Sequence, residues 1–212
     1  MGTIERRARE REETRTMILD AARALFVERG VEAVTMRAIA QRIEYTPTAI
    51  YHHFRDKHAL LVELCVRDFR ALGQAFLRIG RIEDPVERLR AIGMAYVDFA
   101  LANPSHYQFL FMTQRESLLE TDEVHDQVDP QEDAYLLLRA TVAEAIAGGR
   151  FRPEFDDPEL AAQMLWGAVH GVVSLHITKG REGFVAWRDA RETARCVTEV
   201  TMRGMAREPV PA

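Results

Sequence analysis

Apolar residues along this chain recur at helical spacing. Ile18, Ala21, Ala22, Leu25 and Phe26 fall at i, i+3, i+4, i+7 and i+8, laying one stripe along a helix that stops at Gly30. Met36, Ile39, Ala40 and Ile43 repeat the pattern over a short helix behind Thr35. Leu61, Leu64, Cys65, Phe69, Leu72 and Phe76 repeat it over a long one after Asp56. Five prolines follow an N-cap residue: Thr46-Pro47, Asp84-Pro85, Asn103-Pro104, Asp129-Pro130 and Asp157-Pro158. Proline suits the first helical position because its missing N–H would be unpaired there, so each pair predicts a helix start. Glu87 and Glu132 add capping boxes behind Asp84 and Asp129. Further helices are predicted near 85–102, 104–113, 130–147, 158–179 and 184–203, with Gly148-Gly149, Gly180 and Gly204 among the stops. No alternating run is long enough for a strand. The pattern predicts an all-α chain of about nine helices.

Composition narrows the class. With 212 residues, 47% of them hydrophobic, the chain is too apolar for a disordered protein and long enough for a real core. Its two cysteines, Cys65 and Cys196, are far apart with no CxxC, which excludes a disulfide framework or zinc ribbon and suits a reducing, cytoplasmic compartment. The charged first fifteen residues do not read as a secretory signal, and no run of about 18 consecutive apolar residues follows, so a soluble protein without a membrane partner is expected.

The formal net charge is -5 but unevenly spread. Residues 1–60 carry 11 basic and 9 acidic side chains, against 17 and 24 in the remainder, so a polyanion is expected to meet the N-terminal part. Residues 1–13 place Arg and Glu at i, i+4 spacing, as in Glu5 with Arg9 and Arg9 with Glu13. Such a charged arm extends the first helix or stays loose. Of 28 basic residues 26 are arginine, so one more surface arginine says little. The acidic stretch Glu116 to Asp133 predicts a long loop. Asp122, Glu123, His125, Asp126 and Asp129 lack the glycine and bidentate glutamate spacing of a calcium loop, and a solvated loop is the simpler reading.

Residues 35–58, TMRAIAQRIEYTPTAIYHHFRDKH, carry the functional signal. Two short helices with a Thr cap each, separated by Glu44-Tyr45-Thr46, fit a helix-turn-helix. The first buries Ile39, Ala40 and Ile43, the second Ile50 and Phe54. Thr46, Thr48, Tyr51 and His52 are then left on the outer face, where a helix entering the major groove touches base edges and phosphates. His52 and His53 point about 100° apart with no further ligand beside them, so no metal is expected. A purely structural helix pair would show the same caps and apolar stripe.

The segment from Thr14 to Leu61 resembles the TetR family of bacterial transcriptional regulators. The resemblance rests on Ala21-Ala22, Leu25-Phe26 and Gly30, on Thr35, Ile39, Ala40 and Thr46, on Ile50-Tyr51-His52-His53-Phe54, and on Asp56-Lys57 with Leu60-Leu61. It implies a dimeric regulator with an N-terminal three-helix DNA-binding domain, residues 1–60, and a C-terminal helical dimerisation and ligand-sensing domain, residues 61–212. By position, Thr46, Pro47, Thr48, Tyr51 and His52 sit on the recognition helix, Thr35 and Arg37 at the start of the supporting helix, and Lys57 on the DNA backbone. Many members have glycine where this chain has Glu44. A non-glycine residue at positive φ costs roughly 1–2 kcal/mol.

In the C-terminal part Ala161, Leu165, Ala168, Val172 and Leu175 form an apolar seam, with a second stripe of Gly167, Gly171 and Ser174. Leu165, Ala168, Val172 and Leu175 are the expected two-fold dimer interface. The W-G-x-V-H-G string resembles a subgroup of TetR-type C-terminal domains. Bulky side chains concentrated between 94 and 112 suit either a core or a pocket for a hydrophobic molecule, and the pocket reading takes Phe99, Tyr107, Phe111, Trp166 and His170. Trp166 and His170 fit equally as ordinary core. No catalytic constellation or cofactor motif is present, so the expectation is a non-enzymatic repressor that binds a palindromic operator in double-stranded DNA and is released by a small effector. The alternatives are a helical carrier or enzyme with a structural helix-turn-helix, and a DNA-binding regulator without effector.

Overall fold

A computed structural model of the chain describes residues 3–77, 79–113 and 133–207. Among them are nine α-helices: α1 (Thr3–Arg29), α2 (Met36–Arg42), α3 (Pro47–Tyr51), α4 (Lys57–Phe76), α5 (Pro85–Ala102), α6 (Pro104–Met112), α7 (Ala134–Ala147), α8 (Pro158–Lys179) and α9 (Ala190–Met205). The predicted caps form. Thr35 Oγ1 accepts from Ala38 N at 3.1 Å, Thr46 Oγ1 from Ala49 N at 3.2 Å, and the Asp84 and Asp157 carboxylates from the second and third amides of α5 and α8. Gly30, at φ 79°, closes α1 by donating its N–H to Phe26 O.

Two helix starts differ from the sequence reading, and the last helix runs through Gly204, an expected stop, to Met205. The capping residue of α7 is Asp133, bonded to Tyr135 N and Leu136 N. The predicted start at Pro130 lies outside the described residues. α9 begins at Ala190 rather than 184, because Asp189 caps Glu192 N and Trp187 lies on the His176 ring at 5.0 Å instead of joining the helix.

The helices pack as two compact units. In described residues the first comprises 3–68 and 105–113, the second 69–104 and 133–207. The expected division at residue 60 thus moves eight residues along α4, and α6, assigned by sequence to the C-terminal domain, packs in the first unit. The physical reason is a shared core. Tyr107 and Phe109 of α6 are fully buried, Phe109 stacks on Phe26 at 5.9 Å, and buried Asp68 of α4 pairs with buried Arg23 of α1. Ile18, Leu25, Ile39, Ile50, Leu60 and Leu64 complete that core.

The second unit packs α5 against α7, α8 and α9, with α8 also against α7 and α9. α8 is long and apolar enough by composition to cross a bilayer. It lies among three helices, with Ala161, Ala162, Leu165, Val169 and Val173 turned to the core.

Candidate nucleic-acid interface

The helix-turn-helix is built from α2 and α3. Ile39, Ala40, Ile50 and Phe54 are buried, which fixes the angle between the two helices and leaves Thr46, Pro47, Thr48, Tyr51 and His52 exposed. Tyr51 keeps 53% of its surface although its ring is large and apolar, so its face is offered outward. The turn passes through Glu44 at φ 60°, the left-handed conformation the glycine-like position requires. Tyr45 N then donates to Ala40 O at 2.9 Å, closing the end of α2. Glu44 and Tyr45 are exposed, so the turn just before α3 carries a solvent-facing carboxylate and phenol.

Thr35 and Arg37 stand exposed at the start of α2, and Arg37 makes no ion pair among the described residues. Lys57 is placed differently from the sequence reading. Its Nζ donates to Val31 O and Val34 O at 3.0 and 3.1 Å, so two of its three protons hold the α1–α2 loop rather than point outward. Both carbonyls belong to the loop between helices, outside any helical ladder, and Val31 O also accepts from Val34 N at 3.2 Å.

Arg15 ties α1 to the segment just past α3. It donates to His53 O at 2.7 Å and to Glu63, and its guanidinium lies 4.2 Å over the Phe54 ring. The Glu63 hydrogen bond strengthens its charge despite partial burial. His53 is held below its ordinary pKa by desolvation and then by the charges of Arg11 and Arg15. Arg15 was not singled out in the sequence, where its row Arg7, Arg11, Arg15 is hidden among equally spaced Arg and Glu.

In the second unit Trp166, His170 and Phe99 occur together, whereas Tyr107 and Phe111 belong to the first unit, where they contact each other at 5.4 Å. Trp166 and His170 meet at 5.8 Å, Tyr135 approaches Trp166 at 5.9 Å and hydrogen-bonds Glu159, and Tyr96 Oη lies 2.9 Å from His170 Nδ1. Burial alone depresses the His170 pKa, favouring a neutral ring. The sequence pointed to the Trp166–His170 pair but not to Tyr135 as its neighbour.

The dimer seam also splits. Leu165 turns inward with Ala161, Val169 and Val173, Ala168 and Val172 are half-buried, and Leu175 is 51% exposed. The open apolar row on α8 is Leu160, Met164, Gly167 and Leu175, with half-buried Gly171 between the last two. Val200 stands 71% exposed on α9 with Cys196 one turn before it. A period of 3.6 drifts across a fixed alternation of four and three, so Leu165 faces the core while its neighbours by rank face out. No cluster of three His, Cys, Asp or Glu suited to a metal occurs among the described residues, and the acidic stretch 122–129 lies outside them.

Residues 18–64 match the family model of bacterial regulatory proteins of the tetR family, and residues 89–200 match that of the tetracyclin repressor-like C-terminal domain. The chain is 28% identical over 115 residues to YobS of Bacillus subtilis, an HTH-type transcriptional regulator, covering 54% of this chain and 59% of that one, so it spans less than two thirds of that relative's length. It is 30% identical over 144 residues to the transcriptional repressor KstR2 of Mycobacterium tuberculosis, 66% of this chain and 70% of that one. The crystal structure of the TetR family regulator PfmR from Thermus thermophilus superposes with a TM-score of 0.68 at 27% identity, covering 90% of this chain and 99% of that one. These relatives are regulators rather than enzymes. With a DNA-reading motif and a C-terminal domain both matched along the chain, this protein belongs to the TetR family of transcriptional regulators.

Proposed function

We propose that this regulator is a cytoplasmic repressor that binds a palindromic operator as a homodimer and leaves it when a small hydrophobic effector occupies the C-terminal unit. The observation that carries the reading is the outward face of α3. Thr46, Pro47, Thr48, Tyr51 and His52 are all exposed on a helix whose opposite side is fully buried. A helix so anchored presents base-reading side chains without entropy to lose in its own placement. Thr35 and Arg37 add phosphate contacts from the start of α2. Lys57 acts as a positioning residue, fastening the loop that leads to Thr35. Arrival of the sister helix one turn of DNA away, about 34–36 Å, requires a two-fold assembly. The open row on α8 with Val200 of α9 supplies an apolar face for it.

The effector reading rests on Tyr96, Tyr135, Trp166 and His170, which combine apolar rings with a few oriented polar atoms, as small-molecule sites do. Phe99 belongs to the same unit. Tyr107 and Phe111 serve the core of the other unit, so they drop out of the proposed lining. The KstR2 relative is a repressor, which supports repression as the sign of regulation.

Selection of bound duplexes from a random library tests the reading. A palindromic consensus is expected, and Tyr51→Ala is expected to lose it by roughly 1–3 kcal/mol of discrimination while keeping its fold. Absence of any consensus, or Tyr51→Ala binding like the parent at near-physiological salt, would overturn it.

A further inference from the structure

The charged start of the chain is helical: α1 begins at Thr3, fifteen residues before the family match at residue 18. Its charges are not equivalent. Arg6 pairs with Glu10, Arg9 with Glu13, and Glu12 with Arg67 of α4, so the acids from Glu10 to Glu13 are each engaged. Arg7 and Arg11 make no ion pair among the described residues. They lie one turn apart on the row that ends at Arg15, whose guanidinium grips His53 O just past α3.

A groove of about 460 Å³ lies at Arg11, the middle member of this row, lined by Glu10, Arg11 and Thr14 of α1 and by His52 and His53 after α3. His53 Nδ1 is buried with no hydrogen-bond partner among the described residues. The Glu10 carboxylate in the lining is held by Arg6 at 3.5 Å, which limits its repulsion of an anion. Successive members of the row are about 6 Å apart along the axis, close to two nucleotide steps of one DNA strand at ~3.4 Å each.

We propose that Arg7 and Arg11 bind the phosphate backbone of DNA flanking the segment read by α3, with the groove at His52 and His53 receiving the nearest phosphate. This rests on α3 being the reading helix, since His52 and His53 then lie beside the duplex. A rigid helical arm extends the footprint outward and contributes sequence-independent affinity. The two contacts differ in kind: α3 selects bases, and the arm counts phosphates.

The test uses the full chain and two 40-base-pair duplexes, one selected by the parent and one of random sequence, read by fluorescence anisotropy across salt concentrations. For Arg7→Ala/Arg11→Ala the slope of log affinity against log salt is expected to shrink by about 2 for one arm and about 4 for two arms, at ~0.9 per phosphate contact. The loss is expected on both duplexes, with base preference unchanged, and trimming the flanks from the selected duplex should weaken the parent but not the variant. Arg7→Lys/Arg11→Lys should restore the slope, as charge rather than shape is at work. An unchanged slope in the alanine variant on both duplexes overturns the inference. Failure of the α3 reading shows separately: Tyr51→Ala would then match the parent on the selected duplex.

Discussion

Glu44 concentrates two opposing effects in one residue. At φ 60° its backbone costs roughly 1–2 kcal/mol relative to glycine, and its carboxylate stands exposed in the turn just before α3. Glycine would relieve the strain but free the unfolded chain by ~0.5–1 kcal/mol, so Glu44→Gly should stabilise by only about 0.5–1 kcal/mol in urea unfolding. Glu44→Ala keeps the strain and removes the charge. It should therefore improve affinity for duplex DNA without raising stability, and equal behaviour of the two variants in both assays would contradict this separation. His170 makes a second prediction at this scale. Burial lowers its pKa, so the unfolded chain takes up a proton at higher pH than the folded one. The stability it contributes is complete above the unfolded value, about 6.5, and is lost as pH falls from there toward the folded value. His170→Asn should lose less stability than the parent between pH 7 and pH 5.5, measured by denaturant midpoints; His53, shifted the same way, titrates in both and cancels in the comparison.

Among the elements, α1, α4 and α6 are joined by a buried charge cluster. Arg23 of α1 donates to both Asp68 oxygens at 2.8 and 2.7 Å and to Asp20 at 2.6 Å, while His106 of α6 approaches the same Asp68 at 3.0 Å. Burial works against the Arg23 charge, but the Asp68 hydrogen bonds and charge outweigh it, so the guanidinium stays firmly ionised. With Asp68 1% exposed, Asp68→Ala leaves the buried Arg23 guanidinium with only the exposed Asp20 and should cost about 3 kcal/mol in urea unfolding. Asp68→Asn keeps part of the geometry and should cost less. A loss under about 1 kcal/mol for the alanine variant would show that the cluster relaxes into water. This cluster was not visible in the sequence, because Arg23, Asp68 and His106 are separated by whole helices and each looks like an ordinary surface charge. Helix starts were legible, since Thr46-Pro47, Asp84-Pro85 and Asp157-Pro158 act through local hydrogen bonds. So was the outer face of α3, because a five-residue helix with Ile50 inward has little freedom over what points out. The partner of Lys57 was not legible, as it depends on which loop carbonyls the folded chain leaves within reach.

For the whole molecule the proposed function turns on the number of subunits, because a single α3 would cover only half of a palindromic site. Leu160, Met164 and Leu175 on α8 and Val200 on α9 are large apolar side chains left 39% to 71% exposed, the face the proposed partner would cover. In a two-fold interface each residue counts twice, so burying what Leu175 and Val200 still expose is worth about 1–2 kcal/mol per side chain in each subunit. Leu175→Glu removes that burial and brings like charges toward the axis. Its dimer dissociation constant should rise roughly a thousandfold or more, equivalent to about 4 kcal/mol. Sedimentation equilibrium would report a monomer where the parent is a dimer, and the melting temperature of the variant would lose its dependence on protein concentration. Because α3 and its caps lie in the first unit, the variant should retain weak binding to a half-site and gain little from the second half. A parent that is monomeric at micromolar concentration, or a variant that still dimerises and binds the full palindrome, would remove the two-fold assembly and with it the operator symmetry.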